Sequence, residues 1–93
     1  SGSVAEVENT IGMSVYPNPA NNQATVSFAV NNDATASVNV TDLTGKVVYT
    51  SALGSVNGAQ KVTVNTESLT NGVYMVNVIV DGTVSTQKLI VRK

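Results

Sequence analysis

The chain has 93 residues, of which 42% are hydrophobic and 12% charged, with a net charge of −1; this fits one domain with a modest core. It lacks histidine, cysteine and tryptophan, which excludes disulfides and histidine- or thiol-based catalysis. The charge balance gives no basic patch for nucleic acid, and the apolar runs are far shorter than a membrane span. Abundant valine and threonine favour strands.

Residues 1–12 show no strand pattern and are predicted to be a linker. The opening Ser1-Gly2-Ser3 looks like an expression-vector scar. Residues 13–93 form the single predicted domain. Because a linker precedes it and a charged Arg92-Lys93 end follows it, we expect the last module of a longer protein.

Alternation of apolar and polar residues predicts about seven short antiparallel strands, which is typical of an all-β sandwich. Proline ends the first of them because it cannot donate to a ladder. The predicted strands are Met13–Tyr16, Ala24–Val30, Ala36–Thr41, Lys46–Thr50, Gln60–Val64, Val73–Val80 and Val84–Val91.

The residues between these strands predict specific connections. Asp42 and Gly45 favour a hairpin turn, and Asp81-Gly82 is a strong two-residue hairpin signal. Gly72 indicates a backbone position with positive φ. The other predicted connections are turns at Ala20–Asn22 and Asn31–Asp33, a loop at Ala52–Gly58, and a single turn in Asn65–Asn71 that places Leu69 on the core.

No group of side chains predicts catalysis. The acids lie in the tail or in separate turns, so a converging carboxylate pair is not expected. Calcium is the one metal with suitable oxygen ligands, but such residues are typical of turns. We therefore predict a protein that is not an enzyme, with no catalytic residue, cofactor or metal. The acids are Glu6, Glu8, Asp33, Asp42, Glu67 and Asp81.

The aromatic residues bear on an alternative function, a carbohydrate-binding or adhesive β-sandwich appended to a secreted enzyme. Such a site uses exposed rings. Phe28 and Tyr74 share the phase of core residues, which leaves Tyr16 and Tyr49 as stacking platforms. A purely structural spacer is a third alternative.

Three segments, taken in order, resemble a known family. The first is Tyr16–Ala20, the second Val40–Val48, and the third runs from Leu69–Val76 through to Lys88–Lys93. Together they are similar to the type A C-terminal sorting domain of the type IX secretion system of Bacteroidetes, over nearly the whole chain from Met13. The motif residues are Pro17, Asn18, Pro19, Asp42, Gly45, Lys46, Gly72 and Tyr74.

The resemblance implies an immunoglobulin-like sandwich that follows an N-terminal cargo domain in secreted enzymes and adhesins. It also implies recognition by an outer-membrane translocon and a shuttle protein. A sortase-like protease would then remove the domain and couple the cargo to an anionic lipopolysaccharide. The expected route runs through the periplasm and outer membrane to the cell surface or the medium.

The final strand is where the residues themselves indicate recognition. A strand at a sheet edge offers unpaired backbone groups that a partner can extend, or that two protomers can share in a strand-exchanged homodimer. We therefore predict that the final strand and the adjacent hairpin form much of the recognised surface: Asp81, Gly82, Lys88, Leu89, Ile90, Val91, Arg92 and Lys93.

Overall fold

A computed structural model describes residues 12–93, so the predicted scar and all of the predicted linker except Gly12 lie outside the described residues. The five strands of this part are β1 (Ser14–Tyr16), β2 (Gln23–Asp42), β3 (Val47–Asn65), β4 (Gly72–Val80) and β5 (Thr83–Val91). The predicted all-β class is confirmed. No helix within 12–93 has the length and apolarity to cross a membrane.

The two long strands, β2 and β3, each replace two of the predicted strands. β2 continues through the turn predicted at Asn31–Asp33, where its ladder with β3 shifts register. β3 continues through the loop predicted at Ala52–Gly58, in which Gly54 and Gly58 adopt positive φ angles of 73° and 80°. Both predictions are wrong because each strand satisfies the other's backbone groups, so the extra residues form bulges. Five strands result where seven were predicted.

β2 is the centre of a curled antiparallel sheet. One of its edges pairs with β3, and the other pairs first with β1 at Thr25–Ser27 and then with β4 at Ala36–Asp42. β5 pairs outside β4. The curl brings the segment after β1 back to β5, where Ala20 and Val91 form a parallel bridge. The immunoglobulin-like sandwich implied by the resemblance stays a prediction.

The core fills the inside of this curl. Alternate residues of β2 are buried from Ala24 to Val30 and again from Ala34 to Val40, as a period-two pattern requires. The inward orientations predicted for Phe28 and Tyr74 are confirmed, and Leu89 and Val91 are buried as well. The buried apolar residues are Met13, Ala20, Ala24, Val26, Phe28, Val30, Ala34, Ala36, Val38, Val40, Val64, Tyr74, Val76, Val78, Leu89 and Val91.

Candidate recognition surface

The segment between β1 and β2 lies along the outer edge of β5 and pairs with its backbone. The Asn18 side chain donates from Nδ2 to the Lys88 carbonyl (3.0 Å) and accepts at Oδ1 from the Ile90 N–H (2.9 Å). Ala20 donates its N–H to the Ile90 carbonyl (2.7 Å) and accepts from the Arg92 N–H (2.8 Å). Because an amide side chain offers one donor group and one acceptor, as a peptide does, Asn18 acts as an added strand residue.

This pairing changes the predicted mode of recognition. Unpaired backbone groups were expected along the end of β5, but those from the Lys88 carbonyl to the Arg92 N–H already have partners. A partner strand can add there only by displacing the segment that holds Asn18. Leu89 and Val91 are 0% and 1% exposed, so no partner reaches their side chains in the folded domain.

The second motif forms the hairpin turn that was predicted between β2 and β3. The Asp42 carboxylate accepts hydrogen bonds at Oδ1 from the Thr44 N–H (2.9 Å), the Thr44 hydroxyl (2.5 Å) and the Lys46 N–H (3.0 Å). Gly45 donates its N–H to the Asp42 carbonyl and adopts a φ of 91°, which favours glycine. The Thr44 hydroxyl, followed by the two backbone donors and the Lys46 charge, lowers the pKa of Asp42.

Lys93 folds back onto the loop between β3 and β4. Its N–H donates to Oδ1 of Asn71 (3.0 Å), and its Nζ donates to the carbonyls of Glu67 and Leu69, both at 2.5 Å. The ammonium group therefore satisfies loop carbonyls that no strand pairs with. This gives Lys93 a structural role that its position in the sequence did not indicate.

The same loop packs against the third motif. Leu69 closes a single turn by donating to the Thr66 carbonyl (3.0 Å) and packs against the core, as predicted. The buried Tyr74 ring directs its hydroxyl to the Thr70 carbonyl (2.7 Å). Thr66 is fully buried, and its hydroxyl donates to the Asn21 carbonyl (3.1 Å). Loop and motif therefore form one hydrogen-bonded unit.

Gly72 does not adopt the positive φ that was predicted for it. The described glycines with positive φ are Gly12, Gly45, Gly54, Gly58 and Gly82. Gly72 instead begins β4 in pairing with Val91. A Cβ built on it would lie 3.9 Å from Cε1 of Tyr74, an ordinary contact distance. Neither backbone geometry nor internal packing requires glycine at this position.

All three motifs meet at one end of the curled sheet. Asp42 is the cross-strand partner of Tyr74, and Gly72 is the partner of Val91. Val91 in turn bridges Ala20, which follows Asn18 and the two prolines. Segments far apart in the sequence therefore form one continuous structure.

A known family model matches residues 14–92, and its description is a secretion system C-terminal sorting domain. The chain belongs to this family. The match spans all five strands and the three motifs except the final Lys93, so the resemblance drawn from those motifs is confirmed. No curated protein matches the chain. Membership implies a type IX secretion signal and export across the outer membrane.

In this sorting domain the predicted recognition residues do not form one surface. Asp81 and Gly82 form the β4–β5 turn with φ angles of 49° and 85°, as predicted. They lie at the end of β5 opposite Arg92, about 30 Å away at the usual rise of a strand. Asp81 also forms two hydrogen bonds with Thr35. The Asp81 N–H donates to the Thr35 carbonyl (2.9 Å), and the Thr35 N–H donates to Oδ1 of Asp81 (2.9 Å).

A polar ladder crosses the outer face of the sorting domain, and sequence reasoning missed it. Asn77 Nδ2 donates to Asn39 Oδ1 (2.8 Å), and Thr86 Oγ1 donates to Asn77 Oδ1 (2.8 Å). These residues are aligned by the registers of β2, β4 and β5. Because the Asp81-Gly82 turn sets the register of the β4–β5 hairpin, the sequence alone could have paired Asn77 with Thr86. No local sequence signal sets the register of β2 against β4, which places Asn39 opposite Asn77.

The described residues contain no group of three or more acidic side chains that could hold a metal ion. Of the two proposed stacking platforms, Tyr16 is 42% exposed and Tyr49 packs against the core. An open cavity of about 450 Å³ lies between the Asp42 turn and the loop before β4, beside Leu43, which is 71% exposed. The Leu43 side chain can make apolar contacts in this cavity, but it carries no polar or reactive group.

Proposed function

We propose that this sorting domain is a non-catalytic signal that directs an attached N-terminal cargo across the outer membrane by type IX secretion. The outer-membrane translocon and a shuttle protein recognise the domain. A sortase-like protease removes it when the cargo is attached to the cell surface. The observation that supports this most is the family match over 14–92, which includes all five strands and the motif segments up to Arg92.

We propose that the machinery recognises side chains at the motif end of β5. Lys88 and Arg92 are exposed and Ile90 is half-buried, whereas Leu89 and Val91 support the recognised strand from inside. Lys93 holds the neighbouring loop in place. Asp81 and Gly82 contribute by setting the hairpin that aligns β5. The strand-exchanged homodimer would require β5 to leave β4 and the Asn18 contacts together.

The test is a fluorescent reporter with this chain at its carboxyl end, expressed in a host that has the secretion system and in a secretion-deficient strain. We expect surface delivery in the first host only. Lys88→Ala with Arg92→Ala should reduce delivery, because it removes two exposed charges at the proposed surface. Lys61→Ala is the matched control, since Lys61 is an exposed lysine on β3. Periplasmic retention of the wild-type fusion in both strains would contradict the proposed function.

Point substitutions are required here because deleting the strand end cannot separate recognition from folding. Removing residues 89–93 would take out the buried Leu89 and Val91, and losing a buried leucine alone costs about 2–5 kcal/mol. Each variant should therefore be purified and its unfolding midpoint compared with that of the wild-type domain. Reduced delivery counts only where the midpoint is unchanged.

A further inference from the structure

The outer edge of β5 is divided into a covered part and an open part. Ile90 directs both its N–H and its carbonyl away from β4, toward Asn18 and Ala20. In an antiparallel ladder every second residue has this orientation, so Val84 and Thr86 also direct their backbone groups outward. These groups have no partner among residues 12–93.

Of the usual features that prevent strand addition, this open part has only one charged residue, at its end. Its register with β4 is continuous from Thr83 to Val91 without a bulge, and β5 contains no proline and a single charged residue, Lys88. Val84 is 57% exposed. Natural edges are normally blocked by bulges, prolines or charges.

The other long edge of the sheet, on β3, is irregular. β3 also lacks a partner strand on its outer side within the described residues. However, its ladder with β2 shifts register at three places, and Gly54 and Gly58 adopt positive φ. Bulges twist an edge and interrupt the regular row of donors and acceptors that an added strand needs. The regular edge is therefore the one on β5.

We propose that the edge of β5 from Val84 to the N–H of Lys88 is a docking site for one extended strand of a partner protein in the secretion machinery. This rests on the proposed function. An extended backbone is the ligand that satisfies such a row of groups, and five residues is a typical strand length. A β-branched or apolar residue of the partner fits beside Val84, and a carboxylate complements Lys88.

A proline substitution tests this edge selectively. Thr86 directs its N–H outward, so Thr86→Pro removes a docking donor and keeps the ladder with β4, as edge prolines do. It also removes the hydroxyl that donates to Asn77 (2.8 Å). Thr86→Ala removes the same hydroxyl and keeps the N–H, which makes it the matched control. Val84→Pro with Val84→Ala is an independent second pair.

Each variant is fused to the fluorescent reporter in a secretion-competent host, and the isolated domains are compared by thermal unfolding. We expect proline at either position to lower surface delivery about tenfold or more relative to its alanine control. The loss of one or two main-chain hydrogen bonds to the partner strand weakens binding by about that factor. Unfolding midpoints within a pair should agree. Equal delivery by the proline and alanine variants would overturn the docking site and leave the proposed function intact. Failure of the wild-type fusion to reach the surface would defeat the proposed function instead.

A second copy of the chain is the competing occupant of this edge. Sedimentation of the purified domain over a range of concentrations distinguishes the two. We expect a monomer for the wild-type domain and for Thr86→Pro. A wild-type dimer that Thr86→Pro converts to monomer would overturn the proposal, because the edge would then serve self-association.

Discussion

Replacing Asn18 with alanine tests whether its side chain holds the end of β5. Asn18→Ala removes both side-chain hydrogen bonds to β5, at 3.0 and 2.9 Å. Each contributes about 0.5–1.5 kcal/mol net, so we expect a loss of about 1–3 kcal/mol in the free energy of unfolding. For a domain of this size that lowers the melting temperature by roughly 5–20 °C.

Urea denaturation of the purified domain measures the total loss, and hydrogen exchange locates it. The Ile90 amide should exchange faster in Asn18→Ala, because its acceptor is gone. Asn57→Ala is the control. Its Nδ2 makes one hydrogen bond to another side chain, at Oδ1 of Asp33 (2.8 Å), and pairs no backbone group, so we expect a change within about 0.5 kcal/mol. A loss below about 0.5 kcal/mol for Asn18→Ala, with unchanged exchange at Ile90, would refute the assigned role.

The other two predictions concern a pair of glycines and a carboxylate. Gly45→Ala should lower the free energy of unfolding by about 1–3 kcal/mol, because φ is 91° at this position. Gly72→Ala should leave it unchanged or raise it slightly, since no positive φ is required and the new Cβ lies 3.9 Å from the Tyr74 ring. Urea denaturation compares the two variants, and equal losses of stability would contradict the difference assigned to the two glycines. The pKa of Asp42 is lowered chiefly by the Thr44 hydroxyl, so its contribution to stability is present above the unfolded-state pKa and is lost as the pH falls through the folded-state pKa. Asp42→Asn should show a weaker loss of stability on acidification than the wild-type domain, and identical acid profiles would count against the assignment.

Much of the fold follows from local patterns. Period-two alternation identified the inward face of β2, and the turn chemistry of Asp42–Gly45 and Asp81-Gly82 identified both hairpins. These features depend on neighbours in the sequence. The seven-strand prediction failed because Asn31–Asp33 and Ala52–Gly58 have the composition of turns, yet each lies opposite a partner strand that pairs with it. Tertiary pairing overrides local preference there.

The candidate surface was less predictable than the fold. The sequence marks Asn18 as a turn residue between two prolines and contains no sign that its amide reaches β5, since the contacts span 70 and 72 residues. The same holds for Lys93, which looks like an exposed charge and instead binds loop carbonyls. Long-range side-chain contacts of this kind need the topology to be known first.

The contacts of Asn18 and Ala20 with β5 also have a kinetic consequence. The two hairpins form from residues close in sequence, but this junction closes a chain segment of about 70 residues. Closing a long segment costs chain entropy before any contact stabilises it, and such contacts slow folding. The junction should therefore form late, after the hairpins. A chain that lacks the residues from Lys88 onward would retain both hairpin turns and the first five residues of β5, and would still leave the segment that holds Asn18 without a partner.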